Sequence, residues 1–181
     1  FVEHLFIASA HCTILFFSDR GKCYWLKVHQ IPMGSRISQG RAIINLINCE
    51  QGEKVEAFVS VKEFDDQHFI VMATQNGIVK KTVLSAYGKP RKGGIYAIDI
   101  REGDKLIEAR ITNGEHDILL GTYDGKSIRF SENDIRPSGR KTMGVKGITL
   151  GSKDDRLVGM LVVRREGTIL VATEKGMGKR T

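Results

Sequence analysis

Basic side chains recur along this chain at matched intervals, and that spacing is the first thing in it that could do chemistry. Four residues beyond each of Gly21, Gly77, Gly125 and Gly176 stand Trp25, Lys81, Arg129 and Arg180, basic in three of the four. Wider zones repeat the bias. Arg20 to Arg41 holds five basic residues and no acid, Gly77 to Ile98 holds five and no acid, and Gly125 to Gly147 holds six against Glu132 and Asp134. These zones carry 16 of the 28 lysines and arginines. Between them, Glu50 to Val71 has six acids and two bases, and Asp99 to Asp117 has six acids and three bases; a third zone around Asp154 and Asp155 is less acidic. The chemistry such a pattern supports is neutralisation of a regular polyanion with release of its counterions. If equivalent positions on successive structural units share a charge, they line up as a basic belt, with an acidic surface elsewhere. A curved belt suits bent duplex DNA held through its backbone rather than its base edges.

Other chemistry finds little support. Gly121-x-x-x-Gly125-Lys126-Ser127 is one residue short of a phosphate-binding P-loop and runs into the strand-like Ile128-Arg-Phe130 rather than a helix. It reads as a hairpin turn. Gly176-x-Gly178 lacks the third glycine and the helix of a dinucleotide site. The five histidines (His4, His11, His29, His68, His116) show no metal-ligand spacing, and His11 beside Cys12 makes only two ligands. No Gly-x-Ser-x-Gly occurs, and Tyr24, Tyr87, Tyr96 and Tyr123 read as core or turn aromatics. No catalysis is expected of this chain, and no cofactor or metal.

Composition agrees with a folded basic domain. The 181 residues are 41% hydrophobic and 27% charged, with a formal charge of +7. That is globular rather than disordered composition. The sequence pI of about 9.4 favours a polyanionic partner. Cys12, Cys23 and Cys49 are an odd number without paired spacing, as in a reducing compartment. No stretch approaches the roughly 20 apolar residues of a membrane span. Phe1 is not an initiator Met and no charged-then-apolar leader precedes it, so an excised or internal fragment of cytoplasmic origin is expected.

The elements that must position the cations are short strands. Apolar, β-branched runs (Leu5–Ala8, Ile14–Phe17, Phe69–Met72, Ile118–Leu120, Thr168–Val171) are too short and not periodic enough for helices. Ser18-Asp-Arg-Gly21, Thr74-Gln-Asn-Gly77, Thr122-Tyr-Asp-Gly125 and Thr173-Glu-Lys-Gly176 each follow such a run, their glycines 56, 48 and 51 residues apart. Each predicts a tight hairpin with glycine at a φ > 0 position. Pro32, Pro90 and Pro137 fall 11, 13 and 12 residues after a turn glycine, and Gly40, Gly94 and Gly147 are expected to open a further strand. Val55, Leu106 and Leu157 follow acidic segments at intervals of 51 and 51. A period near 50 with about four strands per unit predicts an all-β, propeller-like partial array. The expected blades are 5–64, 65–113 and 114–165, with the start of another at 166–181.

Several segments resemble blades of the C-terminal domain of DNA gyrase A. They are Val71-Met-Ala-Thr-Gln-Asn-Gly-Ile-Val-Lys-Lys-Thr82, Pro90-Arg-Lys-Gly-Gly-Ile95, Gly125-Lys-Ser-Ile-Arg-Phe130, Asp134-Ile-Arg-Pro137, Gly144-Val-Lys-Gly-Ile148 and Thr173-Glu-Lys-Gly-Met-Gly-Lys-Arg-Thr181. The resemblance implies a β-pinwheel, whose four-stranded blades exchange strands with their neighbours. It also implies non-catalytic, sequence-independent wrapping of double-stranded DNA. The expected contacts are Lys80, Lys81, Arg91, Lys92, Arg129, Arg136, Arg140, Lys141, Lys146, Lys179 and Arg180. The implied partners are the remainder of gyrase A and gyrase B, in the bacterial cytoplasm at the nucleoid and away from membranes. ATP and Mg are implied only for the ATP-dependent type II topoisomerase holoenzyme and its negative supercoiling. The basic, glycine-rich box of the family's first blade is not present in this chain, and Pro90–Gly94 echoes it in part. The alternatives are the related domain of topoisomerase IV and a propeller-type protein-interaction scaffold.

Overall fold

The computed structural model describes residues 6–164 and 167–180; Leu5, Arg165, Glu166 and Thr181, on which expected blade ends fall, lie outside them. In chain order the elements are β1 (Thr13–Ser18), β2 (Lys22–Lys27), α1 (Ile43–Ile47), β3 (Val55–Val61), β4 (Phe69–Thr74), β5 (Ile78–Val83) and β6 (Ile95–Tyr96). There follow β7 (Leu106–Thr112), β8 (Asp117–Thr122), β9 (Ser127–Ser131), β10 (Val145–Lys146), β11 (Leu157–Val163), β12 (Leu170–Ala172) and β13 (Gly178–Arg180).

Local chemistry makes the four hairpins. Gly21, Gly77, Gly125 and Gly176 have φ of 77°, 79°, 83° and 79°, the left-handed region in which a side chain is strained. Each glycine N–H donates to the carbonyl three residues back, at 3.0, 3.0, 3.1 and 2.9 Å. The Ser or Thr beginning each turn adds its hydroxyl, which accepts from the N–H after the glycine at 3.1–3.3 Å. This explains why a hydroxyl residue and a glycine recur three apart.

Strand order shows the repeats interlocked. One sheet runs β3-β1-β2-β6 and the next β7-β4-β5-β10, all antiparallel, followed by β11-β8-β9 and the pair β12-β13. By sequence β6 belongs to the second repeat, yet it pairs with β2 of the first, setting Lys22 opposite Tyr96 and Cys23 opposite Ile95. In the same way β10 of the third repeat pairs with β5, setting Val79 opposite Val145. The fold is therefore all-β and propeller-like, with a strand exchanged between neighbouring blades.

Three sequence expectations are corrected. The segment from Gly40 forms no strand; it leads into α1, whose Ile43, Leu46 and Ile47 recur at helical spacing and pack on Ile14, Phe16, Tyr24 and Leu26. The glycine matching Gly94 is Gly144, not Gly147: both have positive φ (71° and 88°) and precede the exchanged strand, whereas Gly147 follows it. In the run Leu5–Ala8, the described residues Phe6–Ala8 form no strand and Ile7 is fully exposed. Each proline lies two or three residues beyond a 3-10 turn (Val28–Gln30, Leu84–Tyr87, Glu132–Asp134), and Pro32 stands where the next N–H of its turn would be needed.

The sheets stack, so central strands are buried on both faces and read as continuous apolar runs. Leu15 and Phe17 of β1 meet Ile70 and Met72 of β4, Tyr87, Leu106 and Ala109 in one core, while Ile14 and Phe16 face α1. Val71, Ala73 and Val79 meet Ile118, Leu120, Ile148, Leu157 and Met160 in the next. The turns tie the stack together: Leu106 N–H donates to Asp19 O (3.0 Å) and Leu157 N–H to Gln75 O (2.8 Å), each from one blade to the one before.

Equivalent turn glycines should therefore differ in sensitivity. A Cβ on Gly77 would lie 2.9 Å from Ile148 Cγ2 and 3.0 Å from Ile148 O, whereas one on Gly125 meets nothing within 4 Å. Gly125→Ala is expected to lose about 1–2 kcal/mol through the left-handed backbone alone. Gly77→Ala should lose more, and urea denaturation of the two variants measures the difference.

Candidate nucleic-acid interface

The candidate cations divide into two kinds, which alternation along a strand and stacking between sheets explain. Lys80 and Lys81 are 1% and 2% exposed and do not stand on an outer surface, contrary to the expectation from charge spacing. Both lie on β5, a central strand, so their side chains enter opposite layers. Lys80 Nζ donates to the carbonyl oxygens of Ala97 and Arg140. Burial first, and then the Arg140 guanidinium, lower its pKa to about 7, against the pull of Asp99.

Lys81 Nζ lies 3.0 Å from Glu132 Oε2, donates to Glu132 O (3.2 Å) and sits 4.4 Å from the centre of the Phe69 ring. Glu132 is fully buried; its carboxylate also accepts from Thr112 Oγ1 (2.7 Å) and the N–H groups of Gly114 (3.1 Å) and His116 (2.8 Å). Burial pushes its pKa up, but these donors outweigh it and hold the carboxyl below its ordinary value. The pair joins the second blade to the third.

At two of the four positions that lie four residues past a turn glycine, Trp25 and Lys81, blades meet. Trp25 does there what Lys81 does: its Nε1 donates to Tyr87 O of the next blade at 2.8 Å. Arg129, on β9, turns its guanidinium to Asp117, with Nε and Nη2 both 2.7 Å from Oδ2. Lys179 and Arg180 are exposed on β13. The acidic zones are likewise partly internal. Glu53 and Asp155 are buried. Asp155 accepts backbone N–H bonds from Asp124, Arg156 and Gly151 at 3.0, 3.0 and 2.7 Å, clasping a turn to the strand behind it. Asp104 does the same through Asn76 and Lys105, at 2.9 and 2.8 Å.

The remaining cations are brought together by the exchanged strands. Arg91 and Lys92 are exposed on the loop entering β6, and Lys141 on the loop entering β10, where Arg140 is half-buried. Arg91, Arg140 and Lys141 line one cleft of about 350 Å³ with Gly94, Ile95 and Tyr96. The half-exposed Tyr96 ring has Lys22 Nζ 5.6 Å and Lys141 Nζ 5.5 Å from its centre. Lys22 is also paired with Glu50. Asp99 N–H donates to Thr142 O (3.1 Å), fastening the two segments. A second cleft, about 490 Å³, carries Arg136 with Pro137, Met143, Gly144 and Val145 above Lys80 and Lys81. Lys146 is exposed on β10 opposite Ile78.

Sequence reasoning passed over Tyr96 as a site residue and left Lys22 among the general surface charge. The pairing of β2 with β6 over 74 residues brings them together, and no local signal announces it. What the arrangement offers a ligand is a row of guanidinium and ammonium groups beside an exposed ring. Among the described residues, no group of three or more His, Cys, Asp or Glu is placed to hold a metal ion. No described helix is long and apolar enough to cross a membrane.

A family profile described as "DNA gyrase C-terminal domain, beta-propeller" matches residues 13–62, 68–113, 116–164 and 167–181. The DNA gyrase A polypeptide of Salmonella typhimurium is 42% identical over 181 residues, covering the whole of this chain and 20% of that protein. That of Escherichia coli is 44% identical, with 21% of its length covered. The chain thus spans about a fifth of the length of these curated relatives. A solved C-terminal domain of DNA topoisomerase IV superposes with a TM-score of 0.84 at 26% identity, covering 94% of this chain and 53% of that one.

Proposed function

The chain belongs to the DNA gyrase C-terminal domain family, and from that premise we propose that it binds duplex DNA through backbone phosphates along the edge formed by its exchanged-strand loops. Arg91, Lys92, Arg136, Arg140, Lys141 and Lys146 make the contacts, and Lys22 joins them only by leaving Glu50. Lys179 and Arg180 extend the track on the fourth hairpin, and Arg129 joins it only by leaving Asp117. Lys80 and Lys81 stay internal. The duplex is bent around the stack without base readout. In a bacterial gyrase holoenzyme, this chain acts with the rest of gyrase A and with gyrase B, supporting ATP-dependent negative supercoiling at the nucleoid. It supplies wrapping; bond cleavage and nucleotide turnover belong to other parts of that enzyme.

The observation that carries this reading is the cleft in which strand exchange sets Arg91 of one repeat beside Arg140 and Lys141 of the next. Smoothly bending 20–30 bp by 40–90° costs on the order of 1–6 kcal/mol, which phosphate contacts spread over several blades can offset. With about six phosphates neutralised, log K should fall against log salt with a slope near −5. Titration of a linear duplex across a salt series measures it, and a flat dependence would reject the reading. Ligating nicked circles around the intact protein separates wrapping from simple adhesion, because only a wrap changes the linking number of the closed product.

A further inference from the structure

Lys80 is 1% exposed and its ammonium is taken up by two backbone carbonyls, yet the chain segments it holds form the lips of the proposed binding cleft. Ala97, whose carbonyl it grips, follows Tyr96 directly at the end of β6. Arg140, whose carbonyl is its other acceptor, precedes Lys141 on the loop entering β10. A single buried ammonium thus ties a segment docked on the first blade to a loop of the third, from a strand of the second. Packing leaves it little freedom: a Cβ on Gly144 would lie 3.0 Å from Lys80 Cβ, so the chain before β10 lies directly against its stem.

We propose that Lys80 is a positioning residue for polyanion binding: its ammonium holds the Tyr96 and Arg140–Lys141 segments together, and binding depends on it without contact. This rests on the reading of the cleft as a phosphate-binding edge. Two backbone carbonyls that share one ammonium as donor would splay if it were lost, and the guanidinium and ammonium that meet the ligand would move with them. The charged and titratable surroundings are known on each side. Asp99 lies behind β6 and attracts the ammonium; Arg140 on the loop repels it. β4 presents Met72 opposite, Lys81 on the same strand is engaged by Glu132, and β10 carries Lys146. Cys23 on β2 and Tyr87 in the 3-10 turn, both coupled to Arg140, have their pKa values pushed up by burial and stay neutral near pH 7. Lys80, lowered to about 7, changes charge in that range. Bound phosphates favour its protonated form, so binding takes up a proton and weakens as pH rises.

The test measures duplex affinity of the intact protein containing this chain, across a salt series and between about pH 6 and 8.5. The Lys80→Met variant should bind about tenfold more weakly at neutral pH, the equivalent of its lost charged hydrogen bonds. Its salt slope should be unchanged, because Lys80 itself meets no phosphate and the displaced Arg140 and Lys141 keep their charge along the duplex. Lys80→Arg should restore affinity and flatten the pH dependence, since a guanidinium stays charged. A slope reduced by about one would overturn the inference by making Lys80 a direct contact; so would parent-like affinity and pH profile in Lys80→Met. Should that variant not fold, Lys80→Gln takes its place, and parent-like affinity in it overturns the inference. If the parent itself shows no salt-dependent duplex binding, it is the proposed function that fails.

Discussion

Replacing Glu132 with glutamine is expected to destabilise the fold by about 3–5 kcal/mol, the cost of leaving one member of a buried ion pair uncompensated. The neutral amide still accepts from Gly114 or His116, but it turns a donor towards Lys81 or Thr112, and the Lys81 ammonium keeps its burial without its counter-charge. For a chain of this size the loss corresponds to a fall of roughly 10 °C in melting temperature. Pairing Glu132→Gln with Lys81→Met should recover much of it, because the orphan charge goes with its partner. The effect has a sign in pH. Because the folded carboxyl titrates below its ordinary value, the stabilisation is complete above the unfolded pKa and disappears as pH falls through the folded one. The gap between parent and variant should therefore begin to close as pH falls through the ordinary carboxylate range and go on closing below it. Urea denaturation at several pH values measures it; equal stability at pH 7 would show that the pair contributes nothing to joining the blades.

The largest effect on binding is expected from reversing charge along the exchanged-strand edge. Changing Arg91, Lys92, Arg140 and Lys141 to Glu removes about four phosphate contacts, making the log–log salt slope shallower by roughly 3–4. Such contacts vanish towards 1 M salt, so at 0.1 M the affinity falls by on the order of 10³-fold, and the deficit narrows as salt is raised. These side chains are exposed or half-exposed, so melting should change little. A loss of melting stability parallel to the loss of affinity would mean that the loops had collapsed. Unchanged binding would point instead to a scaffold whose partner is a protein. The same four changes offer a direct contrast with Lys80→Met, which lowers affinity at constant slope.

How much of this was legible beforehand follows from what is local. The turns were, because a hydroxyl residue and a glycine three apart close a hairpin with bonds made inside five residues, and the positive φ of Gly21, Gly77, Gly125 and Gly176 is a local steric demand. From four such turns came the period, and from the period the all-β stack. Gly40 shows the limit. It keeps the spacing, but the apolar residues after it recur at helical rather than alternating intervals, and α1 forms against an open sheet face.

Charge was legible in amount and not in direction. Lys80 and Lys81 look like neighbouring surface cations, and so they would be on a strand open to solvent. They are internal because sheets cover both faces of β5, and because their acceptors come from 17 and 60 residues away for Lys80 and 51 for Lys81. Glu132 passed for a stray acid in a basic zone and is the carboxylate on which the blade junction turns. The sequence alone determined the repeat, its turns and the surplus of positive charge. Only the tertiary structure decided which cations meet water, since exposure depends on which sheets stack and which strands are exchanged, and bonds between residues so far apart leave no mark on either one's neighbours.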